Sequence, residues 1–261
     1  MMDYYNDMTS AAQRHSMFRH YTTFEALASI LQDMTLRMSA LRLMNDPIEE
    51  KRTDKLFKNK YFVIGFSHEQ MESIPMWRMY GRERQGVCLE FTDLNFVTDR
   101  ARITFEKDED SNGWELRLIK PIDVIYVKDL PGFTYPYNPL VMKNPDKRSL
   151  CSGYAKSELW KYENETRIIA YIDVKDGTPC RTWRRDGINN INGDDTYAYP
   201  LSQYVYLPLT NETLAHMKIR FNPFMTMEHK NMMRGGIMSI CPSLPQENIV
   251  DSSLQGNIIL R

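Results

Sequence analysis

The chain of 261 residues has few cysteines, no long apolar run and almost no net charge. No stretch approaches the ~18 continuous apolar residues of a transmembrane helix, and the first residues lack the basic and apolar segments of a secretory signal. The four cysteines, Cys88, Cys151, Cys180 and Cys241, lie far apart without a Cys-x-x-Cys pair, which is typical of reduced thiols. These absences predict a soluble, cytoplasmic protein with no membrane partner.

The charge balance and overall composition exclude several classes of protein. With 33 basic and 34 acidic residues, no global field steers the chain toward nucleic acid or anionic lipid, so any such binding must be local. Apolar residues make up 42% and charged residues 26% of the chain, which is an ordinary globular mixture. We therefore expect a folded protein and not a disordered one.

The familiar motifs of metal and phosphate sites are also missing. The five histidines and four cysteines show neither HExxH nor any paired ligand spacing, so we expect no metal site. Neither GxGxxG nor GxxxxGK[ST] is present, which excludes the common dinucleotide and P-loop signatures. No GxSxG elbow occurs, and Cys88 lies inside an apolar run that predicts a packed thiol.

What the chain does contain is a succession of short strand patterns with a few helical ones. The predicted strands are 17–22, 35–40, 61–67, 86–91, 101–107, 118–127, 166–174 and 204–209, and the predicted helices are 23–34, 148–162 and 227–240. Thr22 and Glu25 have the spacing of a capping box, which predicts a helix directly after the first strand.

This order predicts an α+β fold, in which a single domain is built on a mixed, mainly antiparallel sheet. We expect residues 1–15 to form a flexible N-terminal arm and residues 16–261 to form the domain, with a loop insertion at about 174–198.

Two groups of polar residues next to predicted strands are candidates for chemistry. His20 and Thr22 alternate with Tyr21 and therefore share a strand face, where the histidine can donate a hydrogen bond to a ligand hydroxyl. The alternative is a histidine bonded within the fold and a threonine that only caps a helix. Trp77 and Tyr80 have the i, i+3 spacing of a helix face and can stack on a planar ring or belong to the core.

Glu163, Glu165 and Arg167 also alternate and would share one strand face if the segment is extended. A carboxylate near arginine stays ionised, whereas a second carboxylate nearby raises one pKa. Such pairs are frequent where a positive centre is stabilised or a proton is taken. The alternative is a surface strand with an ordinary ion pair worth ~1 kcal/mol or less.

Taken in order, six stretches resemble a widespread bacterial family of uncharacterised function. They are "HYTTFEALASIL", "LRMSALRLMNDPIEE", "FVIGFSHE", "MWRMYGRERQGVCLEF", "VIYV" and "LWKYENETRII". The resemblance covers about residues 17–172. That family in turn resembles a distant branch of the ADP-ribosyltransferases, which carry a histidine on the first strand, an aromatic residue in the middle and a glutamate on a later strand.

The resemblance implies NAD as co-substrate and assigns roles to particular residues. Its catalytic set would be Glu165, His20 and Tyr80. The NAD-binding residues would be His20, Tyr21, Thr22, Asn45, Ser67, Trp77 and Tyr80, with Tyr80 preferred over Trp77 as the ring against nicotinamide. Glu163, Arg167 and Arg184 would serve the substrate side, with Glu163 influencing the acceptor.

The implied function is a bacterial toxin or anti-phage effector that transfers ADP-ribose to a nucleic acid or a protein. Arg181, Trp183, Arg184 and Arg185 mix cations with an aromatic ring, which is typical of single-strand nucleic-acid binding but also of a solvated loop. An antitoxin or regulatory partner is compatible with this function.

Two alternatives remain open at this point. One is a non-catalytic nucleotide-binding sensor. The other is a metal-dependent nuclease with Asp46, Glu49 and Glu165 around Mg²⁺, in which the Asn45-Asp46-Pro turn would supply ligands and not the usual Asx cap.

Overall fold

The computed structural model describes residues 14–45, 61–82, 84–94, 102–103, 114–127, 155–174 and 204–257. The strands are β1 (Phe18–Thr23), β2 (Thr35–Ala40), β3 (Tyr61–Ser67), β4 (Gly86–Phe91), β5 (Arg102–Ile103), β6 (Trp114–Asp123), β7 (Ile125–Val127), β8 (Ala155–Ser157), β9 (Glu165–Val174), β10 (Tyr204–Pro208), β11 (Lys218–Phe221) and β12 (Ile249–Val250). The α-helices are α1 (Phe24–Asp33), α2 (Ile74–Tyr80), α3 (Asn211–His216) and α4 (Met227–Ile240). Short 3₁₀ helices span Leu41–Leu43, Glu158–Glu163 and Gln246–Asn248.

Within the described ranges, ten of the strands form one mixed and mostly antiparallel sheet. Its order is β12-β11-β4-β1-β3-β2-β10-β5, and β9 pairs with both β3 and β6. Among the described strands of this sheet, β11 and β12 are the one pair that runs parallel, while β7 and β8 form a separate parallel pair. The predicted α+β fold on a mixed, mainly antiparallel sheet is confirmed.

Helices α1 and α4 cover one face of the sheet and bury the largest apolar cluster. Leu27 and Ile30 of α1 and Ile237 of α4 are buried there with strand residues such as Phe66 and Ile168. Thr23 caps α1 by accepting a hydrogen bond from the Ala26 N–H at 3.2 Å. This core packs against β1, β3 and β9, the strands that carry several of the polar groups described below.

One edge of β3 contains a gap between two strand pairings. β9 pairs with β3 along its whole length, from Tyr61 to Ser67, and so occupies one edge of that strand. On the other edge, β2 pairs with Phe62 and Val63, and β1 pairs only at Ser67. Residues 64–66 therefore lie between the two pairings, and β1 diverges from β3 at this point.

Several sequence expectations need correction. Helix α1 begins one residue later than predicted, because Thr23 and not Thr22 provides the cap. The predicted helix 148–162 is wrong for its described part, where β8 and the 3₁₀ helix Glu158–Glu163 are found. Three elements late in the chain, α3, β11 and β12, are not predicted individually by the sequence pattern.

The strands 35–40, 61–67 and 86–91 and the helix 227–240 have the predicted bounds. The proposed N-terminal arm and the insertion at 174–198 fall almost entirely outside the described residues. In the parts of the chain described, no helix combines the length and apolar character that crossing a membrane requires.

Candidate functional site

A cavity of about 230 Å³ opens at the gap in the β3 edge. Its lining brings together residues from β1, β3, α2, β8, the 3₁₀ helix before β9, and β9 itself. The polar members central to the chemistry are His20, Ser67, Tyr80, Lys156, Glu163 and Glu165. His20, Tyr80 and Glu165, which the sequence predicts as one catalytic set, therefore line the same cavity.

Glu163 and Glu165 reach the cavity by a route that the sequence pattern does not predict. Glu163 ends the 3₁₀ helix, Asn164 adopts the left-handed conformation (φ 40, ψ 62), and Glu165 begins β9. The expected extended segment with two alternating carboxylates is therefore wrong, yet both carboxylates still meet. Hydrogen bonds to the backbone fix the turn, since the Glu165 N–H donates to the Tyr126 hydroxyl at 2.9 Å and the His68 N–H donates to the Asn164 carbonyl at 2.9 Å.

Lys156 lies between the two carboxylates and joins them. Its ammonium donates to Glu163 Oε2 in a short contact and lies 3.4 Å from Glu165 Oε2. The exposed fractions are 4% for Lys156, 2% for Glu163 and 7% for Glu165, so this is a buried ionic group and not a surface pair. Buried charges at this depth persist only when they are paired and hydrogen-bonded.

The surroundings drive the pKa values of the two carboxyls in opposite directions. Burial raises the pKa of Glu163, and the negative charge of Glu165 raises it further. Burial acts on Glu165 in the same sense, but Arg167 and then Lys156 outweigh it and lower the pKa of Glu165. Two neighbouring carboxyls with separated pKa values are typical of an acid–base pair, in which the carboxyl with the higher pKa exchanges protons and the other remains an anion.

Arg167 supports Glu165 and does not line the cavity. Its side chain is fully buried, and its Nε donates to Glu165 Oε1 at 2.8 Å. The prediction that Arg167 keeps Glu165 ionised agrees with this contact. Its expected role on the substrate side disagrees with the structure. The side chain is fully buried and is not part of the cavity lining, so it cannot contact a ligand in the cavity.

Gly65 provides the space in which the Glu165 carboxylate lies. A Cβ built on Gly65 would lie 2.9 Å from Glu165 Cδ and still closer to Oε1. Any other residue would force the carboxylate to move. Glycine within a strand often marks such a close approach.

His20 faces Gly65 from across the gap. Its Nδ1 lies 2.9 Å from the Gly65 carbonyl oxygen, which can only accept, so Nδ1 carries a hydrogen. Burial lowers the pKa of His20 and outweighs the raising effects of that carbonyl and of Glu165, so the ring is neutral near pH 7. In this tautomer Nε2 is an acceptor, and His20 would accept a hydrogen bond from a ligand hydroxyl where the sequence suggests that it would donate one.

The Ser67 hydroxyl has no protein partner among the described residues. Its Oγ is buried without a hydrogen bond, the residue is 1% exposed, and it lines the cavity. An unsatisfied buried hydroxyl costs about 1–3 kcal/mol. A ligand with a polar group at this place would remove that cost.

The two candidate aromatic residues have different roles. Tyr80 lines the cavity, and its hydroxyl donates to Glu163 Oε1 at 2.5 Å. Trp77 is fully buried outside the lining, packs edge-on against Tyr21 with centroids 4.9 Å apart, and donates from Nε1 to Glu72 at 3.0 Å. Trp77 is thus a core residue and not a ring that stacks on a ligand.

The remaining predicted residues are distributed unevenly. Tyr21 lines the cavity, and its hydroxyl accepts from the Ser73 N–H at 3.0 Å. Asn45 lies exposed at the cavity edge. Thr22 is not part of the lining. Arg184 and its neighbours, like Asp46 and Glu49, lie outside the described residues.

A second cluster joins His15, His68 and Asp123, whose candidate ligand atoms all lie within 4.8 Å of one another. The sequence analysis predicts no metal site, because these three residues lie far apart along the chain and show no ligand spacing. The two imidazole rings stack 3.9 Å apart with planes only 8° from parallel, so their in-plane lone pairs do not converge on one ion. Asp123 instead accepts from Thr166 at 2.6 Å and lies 3.0 Å from His15 Nε2. We interpret the cluster as a hydrogen-bonded tie between the segment before β1 and the ends of β3 and β6.

Removal of Lys156 is expected to destabilise the whole site. In a Lys156→Met variant two carboxylates remain buried without their shared cation, and the free energy of unfolding should fall by about 3–5 kcal/mol. Urea denaturation followed by tryptophan fluorescence measures this change. Lys161→Met, an exposed position in the same 3₁₀ helix, should stay within about 0.5 kcal/mol of the parent. Adding Glu163→Gln to Lys156→Met should restore part of the loss, and an additive double variant would refute the shared ionic role.

Comparisons with known proteins reach only part of this site. A family described as a protein of unknown function, DUF2971, matches residues 76–168, about a third of the chain. The matched stretch holds Tyr80, Glu163 and Glu165 but neither His20 nor Ser67. No curated protein matches the chain, and no solved structure matches it. The prediction of a family of uncharacterised function is confirmed for this stretch, while the likeness to ADP-ribosyltransferases stays a prediction.

Sequence reasoning misses two residues of the site. Lys156 lies in a segment that is predicted as helix, so nothing relates it to the glutamates. Gly65 has a recognisable signal, because it interrupts the apolar strand "YFVIGFS" at a position where a packed side chain is expected.

Proposed function

We propose that the protein is an NAD-consuming ADP-ribosyltransferase whose reaction takes place in the cavity beside β3. The observation that carries this proposal is the convergence of His20, Tyr80 and Glu165 on one cavity, with Glu165 held as an anion. The unsatisfied Ser67 hydroxyl supports a polar ligand in the same space.

The chemistry follows from the charge that develops in the reaction. The bond between ribose C1′ and the nicotinamide nitrogen breaks, its electron pair leaves with nicotinamide, and the ribose gains oxocarbenium character. A fixed carboxylate lowers the barrier because it faces this positive charge in a preorganised, poorly solvated site. Glu165 meets that need, since Arg167 and Lys156 keep it ionised and Gly65 lets it lie against the strand.

Glu163 is suited to the proton that the acceptor must lose. When the acceptor oxygen or nitrogen attacks C1′, its proton has to pass to a base. A carboxyl with a raised pKa takes up a proton more readily than an ordinary one and is better matched to this task at neutral pH. Tyr80 and Lys156 both donate hydrogen bonds to Glu163 and so fix its orientation.

The test is NAD turnover by the purified full chain. NAD is incubated with the protein alone and with cell RNA, DNA or protein, and nicotinamide release is measured beside transfer of label from the adenine half of NAD. We expect release that increases with one fraction, together with label in that fraction. Absence of release in every mixture would overturn the transferase function.

A binding module without turnover is the second candidate, and one observation favours it. Both oxygens of Glu165 already contact protein cations, Oε1 with Arg167 and Oε2 with Lys156, which leaves the carboxylate less free to face a substrate. In that case NAD would raise the melting temperature without being consumed. A metal-dependent nuclease would instead require divalent cations and no NAD, and two of its three expected ligands lie outside the described residues.

The same proposal includes a macromolecular acceptor and a role as a toxin or anti-phage effector. A toxin or anti-phage effector would modify a nucleic acid or a protein in the cytoplasm, and an antitoxin would restrain it. The free, buried thiols of Cys88 and Cys241 are compatible with a reducing compartment.

A further inference from the structure

We infer that Arg37, with Ser39 beside it, forms a phosphate subsite at the mouth of the cavity, and that the ligand is therefore a phosphorylated nucleotide. This inference rests on the proposed function and specifies which part of the ligand lies outside the reacting end.

The charges of the cavity single out Arg37. Among the described residues, the lining includes the cations Arg19, Arg37 and Lys156. Arg19 is buried in an ion-pair network, in which Glu90 accepts from Arg19 Nε at 2.7 Å and also from Arg220, and Arg220 also pairs with Glu72. Lys156 is held between the two site glutamates. No carboxylate in the described part of the chain pairs with Arg37, so among the cations of the described lining it is the one that we assign to an anionic group of the ligand.

The position of Arg37 is fixed before any ligand arrives. The guanidinium carbon lies 4.3 Å from the centre of the Tyr204 ring on the neighbouring strand β10, in a cation–π arrangement. A stacked guanidinium is held on one side, so less side-chain entropy is lost when its N–H groups bind. Ser39 lies two residues further along β2, also lines the cavity, and places a hydroxyl on the same strand face.

The size of the cavity predicts that a dinucleotide extends past its mouth. At about 230 Å³ it is smaller than pockets that enclose whole ligands, which span about 300–1,000 Å³. Both residues line the cavity, but Glu165 is buried whereas Arg37 is exposed. A nucleotide with its ribose at Glu165 would bring its phosphates toward solvent, where a planar guanidinium can bind two phosphate oxygens at once.

Binding of non-reactive phosphates tests this subsite separately from turnover. ADP-ribose and inorganic pyrophosphate are titrated calorimetrically into the parent, Arg37→Ala, Arg37→Lys and Arg78→Ala proteins. Arg78 is the matched control, because it is an exposed arginine over an aromatic ring, Phe224, but lies outside the cavity lining. We expect Arg37→Ala to weaken binding of both probes by about 10- to 100-fold, as for the loss of charge-assisted hydrogen bonds, with Arg37→Lys intermediate and Arg78→Ala unchanged.

The outcomes separate the subsite from the reaction. Parental affinity of Arg37→Ala for both probes would overturn the subsite, whatever the protein does to NAD. If Arg37→Ala loses binding of a single-stranded oligonucleotide but binds ADP-ribose as the parent does, the proposed subsite is also overturned. The phosphate that Arg37 binds would then belong to an acceptor nucleic acid. If ADP-ribose binding depends on Arg37 while no nicotinamide is ever released, the transferase function fails and the subsite stands.

Discussion

Under the proposed transferase function, a Glu165→Gln variant should lose nicotinamide release by about 10²–10³-fold while it still binds NAD. Glutamine keeps the shape of glutamate and still offers an oxygen to Arg167 Nε, but it cannot supply the negative charge that faces the developing oxocarbenium ion. The loss should therefore fall on kcat and leave KM nearly unchanged, because the missing interaction acts in the transition state. Steady-state release of nicotinamide, measured over a range of NAD concentrations, gives both constants.

The control for this change is Glu158→Gln, an exposed glutamate in the adjoining 3₁₀ helix. It should behave as the parent does in turnover and in thermal melting. Undiminished release by Glu165→Gln would remove this carboxylate from the mechanism. Thermal melting shows whether Glu165→Gln is folded. Glu165→Asp is measured beside it, because aspartate keeps the charge and shortens the side chain by one methylene. We expect the Glu165→Asp variant to retain binding and only part of the rate.

A Gly65→Ala substitution should also lower nicotinamide release, because it displaces the Glu165 carboxylate. The added methyl group would occupy the space of the Glu165 carboxylate, so either the strand or the glutamate must shift. Overpacking of this kind typically costs about 1–3 kcal/mol of stability. A displacement of about 1 Å at a reacting group can cost about 10²-fold in rate. Chemical denaturation and nicotinamide release measure the two effects on one protein sample.

A double-mutant cycle identifies the cause of that effect. If the methyl group acts by displacing Glu165, then Gly65→Ala should cost much less stability in a Glu165→Ala background, where no carboxylate is present. Equal costs in both backgrounds would show that Gly65 is needed for another reason. Gly235→Ala is the matched control, because a Cβ there meets nothing within 4 Å, and in the exposed middle of helix α4 it should stabilise the protein by about 1 kcal/mol.

Most of the sheet is predictable from the sequence because its strands carry local signals. The stretches 35–40, 61–67 and 86–91 are apolar or alternating and end in turns, and they fold with the predicted bounds. The helix predicted over 148–162 is wrong for residues 155–162, because apolar residues scattered among charged ones resemble a helix pattern. Its described end is a short strand and a 3₁₀ helix, in which Lys156 and Glu163 are held by ion pairs that no local pattern reveals.

The candidate site is predictable as a set of residues but not as a geometry. The ordered motifs identify His20, Tyr80 and Glu165, and all three line one cavity. Their arrangement depends on where strands separate and where a backbone turns. The pattern places the left-handed Asn164 in an extended strand, and it leaves Trp77 open to ligand stacking because the burial of that ring depends on Tyr21 and Glu72 elsewhere in the chain.

The long pairing between β3 and β9 determines when the cavity is completed during synthesis and folding. β1, β2 and β3 leave the ribosome early and already carry His20, Gly65 and Ser67, whereas Glu163 and Glu165 follow much later in the chain. Contacts between such distant segments form late, because a large loop must close before they provide any stabilisation. A nascent chain therefore presents the β1–β3 side of the cavity without its carboxylates, and any chemistry that depends on Glu163 and Glu165 has to wait until the chain has been synthesised through β9.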